Sequence, residues 1–174
     1  MKYTIKSGTL YNQDLTLAYI KGILTGPEKK IFSSDGKLLF KAYIQQLDAP
    51  DGKRGDIRFR RYILTDSSGN TYALASPDYA TGEDPDVIGW PIYRMPKADH
   101  AELLMDNRQY CLFMRNSQNY ILEKSTGEHA VQIFHRGLIG GWDIDAADDI
   151  SPAILCGIFI FCRYLEQENE FLVV

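Results

Sequence analysis

The stretch DISPAILCGIFIFCRYL, residues 149–165, is the most apolar part of this 174-residue chain. Ser151 followed by Pro152 predicts the start of a helix, because the serine hydroxyl can accept a hydrogen bond from a free backbone N–H and proline suits the first helical position. The apolar run then predicts a helix over about residues 152–166. Whether this helix crosses a membrane or lies inside the fold decides the architecture.

The length and composition of this helix favour the interior of the fold over a membrane. About 14 residues at ~1.5 Å each reach about 21 Å, short of the ~30 Å core of a bilayer, so no transmembrane span is predicted. No charged side chain interrupts the helix before Arg163. A helix that is apolar all round must be enclosed by other parts of the protein. Ala153 and Gly157, one turn apart, would let one wall of the enclosure approach the helix backbone closely.

Short clusters of Asp, Asn, Gly and Ser recur through the first 146 residues, and apolar residues alternate after each of them. Such residues tolerate the positive φ of tight turns, whereas a period of two is typical of strands, so each cluster predicts a hairpin. The clusters are residues 33–36, 66–70, 115–119 and 125–128, and the predicted strands are 15–23, 37–44, 56–65, 71–75, 102–105, 109–114, 120–123, 131–134 and 141–146. About ten to twelve short strands are expected in total.

These strands are expected to pair mainly antiparallel, because no long helical pattern lies between them to form the crossovers of a parallel sheet. The simplest enclosure for the helix is then a closed or nearly closed barrel. An eight-stranded barrel is filled by its own side chains, whereas a larger one has room for a helix about 10 Å across. The sequence therefore predicts a mainly β fold, a single domain over residues 1–174 with the helix at its centre.

The order of these features is similar to that of a known superfamily. The strands with their Asp-Gly-type hairpins precede Gly140-Gly141-Trp142-Asp143-Ile144-Asp145, then an acidic break and the helix over 151–165. This pattern resembles the tubby C-terminal-like superfamily, which includes the tubby proteins, the phospholipid scramblases and the LURP-one-related proteins. The resemblance extends over essentially the whole chain. It implies a twelve-stranded antiparallel closed barrel around a central, hydrophobic C-terminal helix.

The same resemblance implies a function. Tubby proteins bind phosphoinositide headgroups through basic residues on the barrel surface, and scramblases are associated with lipid movement and calcium. For this chain it implies a non-catalytic binding domain, which recognises an anionic lipid headgroup or a protein partner on the outer surface of the barrel.

The densest basic run, KRGDIRFRR at residues 53–61, is the candidate site for an anionic ligand. In a strand over 56–65, two of its arginines point to one face, with two further basic residues at the preceding turn, and together they could hold a phosphate by charge-assisted hydrogen bonds. The candidate binding residues are Lys53, Arg54, Arg58 and Arg60. A solvated outer strand, whose arginines protect an edge or pair with acids, would explain the same run.

An acidic segment just before the helix is the only hint of a cation site. It contains Asp143, Asp145, Asp148 and Asp149. An EF-hand loop does not fit, because Ala147 replaces an oxygen ligand and Ile154 stands where the bidentate Glu should be. Helix capping and strand termination explain the segment without a metal, so no metal site is predicted.

An enzyme is the alternative function. Residues 77–100 are rich in proline and glycine and predict a long surface loop, in which Asp84, Asp86, Asp99 and His100 could converge. An open pocket that joins His100 to a carboxylate would favour an enzyme, whereas a filled barrel without such a cleft favours binding. The motifs of nucleophilic catalysis, phosphate loops and zinc sites do not occur in the sequence, so no catalytic residue and no cofactor is predicted.

Composition narrows the partners and the compartment. A formal net charge of −4 removes the main electrostatic reason to expect nucleic-acid binding. Cys111, Cys156 and Cys162 cannot form a paired framework, which favours a reducing compartment. The first twenty residues carry no apolar run of the length that a signal peptide requires. A cytoplasmic location, free or at a membrane surface, is expected, and residues 167–174 have no assigned role.

Overall fold

The computed structural model describes residues 1–22, 27–47, 60–78, 98–116, 118–147 and 149–169. Within these ranges the chain forms twelve strands, a short 3-10 helix at Gly137–Ile139 and one α-helix. The elements are β1 (Lys2–Lys6), β2 (Thr9–Asn12), β3 (Leu15–Gly22), β4 (Lys29–Ser33), β5 (Leu38–Gln46), β6 (Arg60–Asp66), β7 (Thr71–Asp78), β8 (His100–Met105), β9 (Arg108–Asn116), β10 (Asn119–Lys124), β11 (His129–His135), β12 (Trp142–Ala146) and α1 (Pro152–Asn169).

The twelve strands form one closed antiparallel barrel. Each strand pairs with its neighbours in sequence, and β1 closes the barrel by pairing with β12, with Tyr3 opposite Ile144. This closure leaves none of the twelve described strands as a sheet edge, which removes the backbone groups that would otherwise pair with another chain. The predicted mainly β fold, a closed antiparallel barrel with a C-terminal helix, is confirmed.

Helix α1 packs inside the barrel, as the lack of a polar face predicts. Leu155, Cys156, Phe161, Cys162 and Leu165 are each at most 1% exposed. Burying one such large apolar side chain fully contributes ~1.5–3 kcal/mol, so the helix is a major part of the core. None of the described helices is long and apolar enough to cross a membrane.

Gly157 is the point of closest approach between the helix and the barrel wall. A Cβ atom added there would lie 2.7 Å from Cδ2 of Leu64, a side chain of β6 that is 1% exposed. Real Cβ atoms do not approach other atoms so closely, and the packed core leaves Leu64 little room to move. The prediction that a small residue lets the wall approach at this turn is confirmed for Gly157.

The helix extends beyond the predicted end at residue 166. Its last turn is held by tyrosine hydroxyls on the barrel wall: Tyr62 donates a hydrogen bond to Glu168 at 3.2 Å, and Tyr120 donates one to Glu166 at 2.6 Å. From the sequence, both carboxylates would be expected at the solvent-exposed surface, but in the fold they accept hydrogen bonds from hydroxyls that point into the barrel. Residues 170–174 lie outside the described ranges.

Some strand predictions need correction. The sequence pattern did not identify β1, β2 or β4, whose alternation is short or interrupted by polar residues. The predicted loop over 77–100 begins too early and ends too late, because Pro77 and Asp78 belong to β7 and His100 begins β8. Pro77 is tolerated because the register of β7 with β6 ends at Ala75, so Pro77 pairs with β8 alone. Residues 79–97 and 48–59 lie outside the described part of the chain.

The two ends of the barrel are distinct. At the entry end the chain passes from β12 into α1, and Asp149 lies 3.5 Å from Arg108, which begins β9. At the far end α1 finishes, and the hydroxyl of Tyr164 donates a hydrogen bond to the carbonyl of Pro27, just before β4. Because the strands alternate in direction, the β1–β2, β9–β10 and β11–β12 connections also lie at the far end.

Candidate anion-binding face

Of the four predicted ligand-binding residues, the structure describes Arg60. Lys53, Arg54 and Arg58 lie outside the described ranges. Arg60 begins β6 and shares its inward face with the buried Tyr62, and its Nη1 lies 3.7 Å from Oε2 of Glu168 on the helix.

Arg60 is therefore not on the outer face of the barrel. The Arg60 side chain is 35% exposed, so it lies at the far rim, and the exposed Arg61 takes the outer face instead. Alternation along the strand predicts a shared face for Arg58 and Arg60 but not which face it is, and the buried Tyr62 with its carboxylate partner on α1 sets that face inward for Arg60. The ligand-binding role of the four residues stays a prediction.

A different basic cluster lies on the outer face of β3, β4 and β5. Lys21 stands opposite Lys30, and Lys30 stands opposite Lys41, in the registers of the two strand pairs. Their neighbours in sequence, Ile31 and Ala42, are fully buried on the inward face, so the lysines face outward. Since adjacent strands lie ~4.8 Å apart, the three ammonium groups are distributed along about 10 Å of surface. We call these three residues the lysine row.

Like charges directly opposite one another destabilise a sheet, so the lysine row has an electrostatic cost. Part of it is offset locally: Glu28 Oε1 lies 3.9 Å from Lys30 Nζ, and Lys21 Nζ lies 5.2 Å from the ring centre of Tyr19. Among the described residues, Glu28 is the one acid within 4.0 Å of the row. Three cations and one carboxylate leave a net positive surface.

Two aromatic rings border the lysine row. Tyr19 and Phe32 are stacked, with centroids 5.3 Å apart and an angle of 14° between the planes. Lys21 Nζ is within 5.5 Å of the Phe32 centroid as well. The face therefore combines ammonium groups, which attract phosphate, with a flat apolar surface, which suits the carbon skeleton of a headgroup.

On the other side of the barrel a row of acids crosses β8, β9 and β10. Cys111 stands between Glu102 and Glu123, opposite one residue on each neighbouring strand. We call these two glutamates and the cysteine the acidic row. It lies in a groove of about 500 Å³ lined by residues of β7 to β10 and of the turn after β10. Burial, with the nearby carboxylates of Glu123 and Glu102, raises the pKa of the Cys111 thiol to about 11. The thiol is therefore protonated near neutral pH and is a poor nucleophile.

His100 lies in the same groove and bears on the enzyme alternative. Its Nδ1 lies 2.7 Å from Asp99 Oδ1 and its Nε2 lies 3.1 Å from Asp78 Oδ2, while its ring stacks on Phe113. Of the four residues predicted to converge, Asp99 and His100 do so, and Asp84 and Asp86 lie outside the described part of the chain. Both ring nitrogens face carboxylates, so a substrate would have to displace one of these carboxylates to reach a ring nitrogen.

The acidic segment before the helix is dispersed. Asp143 accepts a hydrogen bond from Thr4 at 3.2 Å and lies 3.5 Å from Arg136, whereas Asp149 pairs with Arg108 at the entry end. Asp145 lies 4.0 Å from the N-terminal amine, and Asp148 is outside the described ranges. In the ranges that the structure covers, no three metal-binding side chains come together.

The lysine row carries no local signal in the sequence. Its members are nine and eleven residues apart along the chain; Lys21 and Lys41 stand among apolar and aromatic residues, and Lys30 follows Glu28 and Lys29. The row therefore forms no dense basic run in the sequence. The signal that could have found it is the outward parity of each lysine combined with the register of β3, β4 and β5.

Comparisons with known proteins assign no family to this chain. No protein-family model matches the chain, and no curated protein matches it in sequence. An X-ray structure of a protein from Arabidopsis thaliana is similar over 95% of this chain and 90% of that chain, with 9% sequence identity and a TM-score of 0.40. The description of the barrel therefore rests on the strand register itself.

Proposed function

We propose that this chain is a non-catalytic binding domain of the tubby-like type, and that its outer face over β3 to β5 binds the phosphate of an anionic lipid headgroup. The lysine row carries this proposal: Lys21, Lys30 and Lys41 stand side by side across three strands. An anion relieves the repulsion among three ammonium groups, and ammonium-to-phosphate hydrogen bonds are charge-assisted. Binding of an anion therefore lowers an electrostatic repulsion that is present in the free protein.

The filled interior supports binding on the outer surface. Side chains of α1 such as Leu155 and Phe161 are packed against the barrel wall, where Tyr62 is fully buried. A ligand of headgroup size would have to displace this core, at a cost of several kcal/mol. A ligand that binds to the outer face or to a rim displaces no part of this core.

The basic run predicted from the sequence belongs to the same proposal. β5, which carries Lys41, ends at Gln46, and the chain returns at Arg60. We propose that Lys53, Arg54 and Arg58, between these two points in sequence, add to the anionic-ligand site together with Arg60 at the rim.

Flotation with phosphatidylcholine vesicles, with and without phosphatidylserine, tests the proposal. The wild type should float with the anionic vesicles alone. Replacing Lys21, Lys30 and Lys41 by Gln should weaken binding about 100-fold, since each basic residue near an anionic surface contributes ~1 kcal/mol. The matched control replaces Lys2, Lys37 and Lys124 by Gln, which removes the same charge elsewhere and should change binding severalfold at most.

A soluble competitor separates the two sources of phosphate. Inorganic phosphate or inositol hexakisphosphate that displaces the protein from vesicles would show that the row binds phosphate itself. Strong binding to inositol hexakisphosphate without flotation would assign a free phosphate ligand. Equal flotation of the lysine variant and its control, or no flotation of the wild type, would contradict the proposed lipid binding.

An enzymatic function is the second candidate, because His100 lines the groove and its ring nitrogens lie 3.1 Å from Asp78 Oδ2 and 2.7 Å from Asp99 Oδ1. Turnover of carboxylic or phosphoric ester substrates by the wild type, lost in His100→Gln, would support it. The occupied ring nitrogens and the protonated Cys111 thiol favour binding instead, and for a binding domain both proteins should be equally inactive.

A further inference from the structure

Two apolar side chains project fully into solvent at the far end. Leu138 is 109% exposed and Ile139 is 70% exposed, in the connection between β11 and β12. Single exposed apolar residues are common on proteins, but an adjacent pair at the tip of a hairpin is typical of an interaction site. We call this pair the apolar tip.

The loop that carries the apolar tip has a defined conformation. Gly140 N–H donates to the carbonyl of Gly137 at 3.1 Å, and Arg136 N–H donates to the carbonyl of Gly141 at 2.9 Å. Gly137, Gly140 and Gly141 all have positive φ, and a Cβ at Gly141 would lie 2.7 Å from the carbonyl oxygen of Ile5. The glycines thus allow a tight connection that holds the two apolar side chains away from the barrel.

The surroundings of the apolar tip are partly basic. Lys6 is exposed at the end of β1, next to Gly141, and Arg136, which lies 3.5 Å from Asp143, directly precedes the loop. Lys21 of the lysine row lies one residue from the end of β3, and Lys30 lies one residue from the start of β4, both at this end of the barrel. Apolar and cationic groups therefore share one end of the molecule.

We propose that the apolar tip inserts into the boundary between headgroups and acyl chains of an anionic bilayer. The proposal rests on the lipid-binding function proposed above and adds the orientation: the far end faces the membrane while the lysine row contacts headgroups. Peripheral membrane proteins combine the insertion of apolar side chains with electrostatic attraction to anionic lipids, because either contribution alone gives only weak binding. Insertion removes Leu138 and Ile139 from water, to which the folded protein otherwise exposes them, and this transfer is favourable.

Vesicle binding by a tip variant tests the insertion. Leu138→Ser combined with Ile139→Ser should weaken binding to phosphatidylserine vesicles about tenfold, as expected for losing two apolar side chains at the interface. The loss should persist at high salt, which screens the lysine row but not the apolar contact. Leu15→Ser combined with Leu104→Ser is the matched control, because both leucines are exposed away from the far end, and it should bind as the wild type does.

The possible outcomes separate the two proposals. If the tip variant binds like the wild type while the lysine variant does not, insertion is wrong and the headgroup site stands. If the tip variant is impaired and the lysine variant is not, insertion stands and the lysine row is not the headgroup site. A wild type that binds no vesicle overturns both. A tip variant that binds vesicles as the wild type does and only loses self-association in sedimentation overturns insertion, because the tip would then be a contact between copies of the chain.

A fluorescent label measures insertion directly. Ile139→Cys, made with Cys111→Ser to remove the accessible native thiol, takes an environment-sensitive dye. Its emission should shift to the blue on anionic vesicles and be quenched by spin-labelled acyl chains. Leu15→Cys in the same background should show neither change. An unchanged spectrum at position 139 in vesicle-bound protein would contradict insertion.

Discussion

The outer wall of this barrel has an acidic row and a lysine row, and the two rows differ in the charged neighbours that the fold gives them. In the acidic row, Cys111 separates the two glutamates, and Glu123 lies 3.3 Å from His129 and 3.9 Å from Arg115. In the lysine row the ammonium groups are direct neighbours, with Glu28 as the one described acid within reach. Glu123 of the acidic row thus lies close to basic side chains of the fold, whereas among the described residues the three ammonium groups of the lysine row share one carboxylate. A charged row indicates a ligand when the fold leaves its charge uncompensated.

The largest effect is expected from a substitution in the core, where the helix supports the barrel wall that carries both rows. Gly157→Val should lower the free energy of unfolding by about 3 kcal/mol, because its side chain would overlap Leu64 in a packed core. Chemical denaturation of the wild type and the variant measures the difference. Leu64→Ala combined with Gly157→Val should cost less than the sum of the two single changes, since a smaller wall residue makes room. Strict additivity would contradict the close approach of helix and wall.

Cys111 reports on the environment of the acidic row. Between an ordinary pKa of 9.0 and about 11, the thiolate fraction at neutral pH falls about 100-fold, so alkylation should be slower by that factor than in a short peptide. The rate should rise with pH until the pH approaches the raised pKa. Mass spectrometry after iodoacetamide treatment gives the rate.

Replacing both glutamates, by Glu102→Gln with Glu123→Gln, separates the causes of this slow reaction. Removing the two negative charges should lower the pKa of the thiol and speed alkylation, although burial, the larger cause, keeps it slower than in the peptide. A peptide-like rate in the wild type would mean that the groove does not enclose the thiol.

Reversing the central charge of the lysine row should weaken binding and strengthen the fold at once. Lys30→Glu places a carboxylate between Lys21 and Lys41, so two repulsive pairs become attractive, while the ion pair with Glu28 becomes a repulsion. The net rise in the free energy of unfolding should be about 0.3 kcal/mol. Binding to phosphatidylserine vesicles should fall about 30-fold, as expected for a two-charge change at an anionic surface. Thermal melting and flotation measure the two effects. Lys37→Glu, at an exposed turn, is the matched control, and equal behaviour of the two variants would remove the special role of the row.

The smallest effect is expected from the acidic row itself. Glu102→Gln should change the free energy of unfolding by less than about 0.5 kcal/mol, because Glu102 is exposed and exposed charges contribute little. Denaturant titration gives this value. A larger loss would mean that Glu102 compensates charge as Glu123 does.

The sequence predicted the interior of this protein better than its surface. The helix followed from the absence of a charged side chain before Arg163, and Gly157 was recognised as a close approach, because a local pattern carries both facts. The inward direction of Arg60 did not follow from the sequence, since local alternation cannot tell which face of β6 meets the helix. The partners of His100 were half predicted: Asp99 is adjacent in sequence, whereas Asp78 belongs to the paired strand.

By itself, the sequence determined that an apolar helix must be enclosed, because no arrangement leaves such a surface in water without a large cost. It also determined that antiparallel strands enclose the helix, because alternation and turn residues are local properties. The tertiary structure alone decided that Lys21, Lys30 and Lys41 stand side by side. Register depends on bulges and on closure of the whole barrel, and a slip of one residue would turn a side chain to the opposite face.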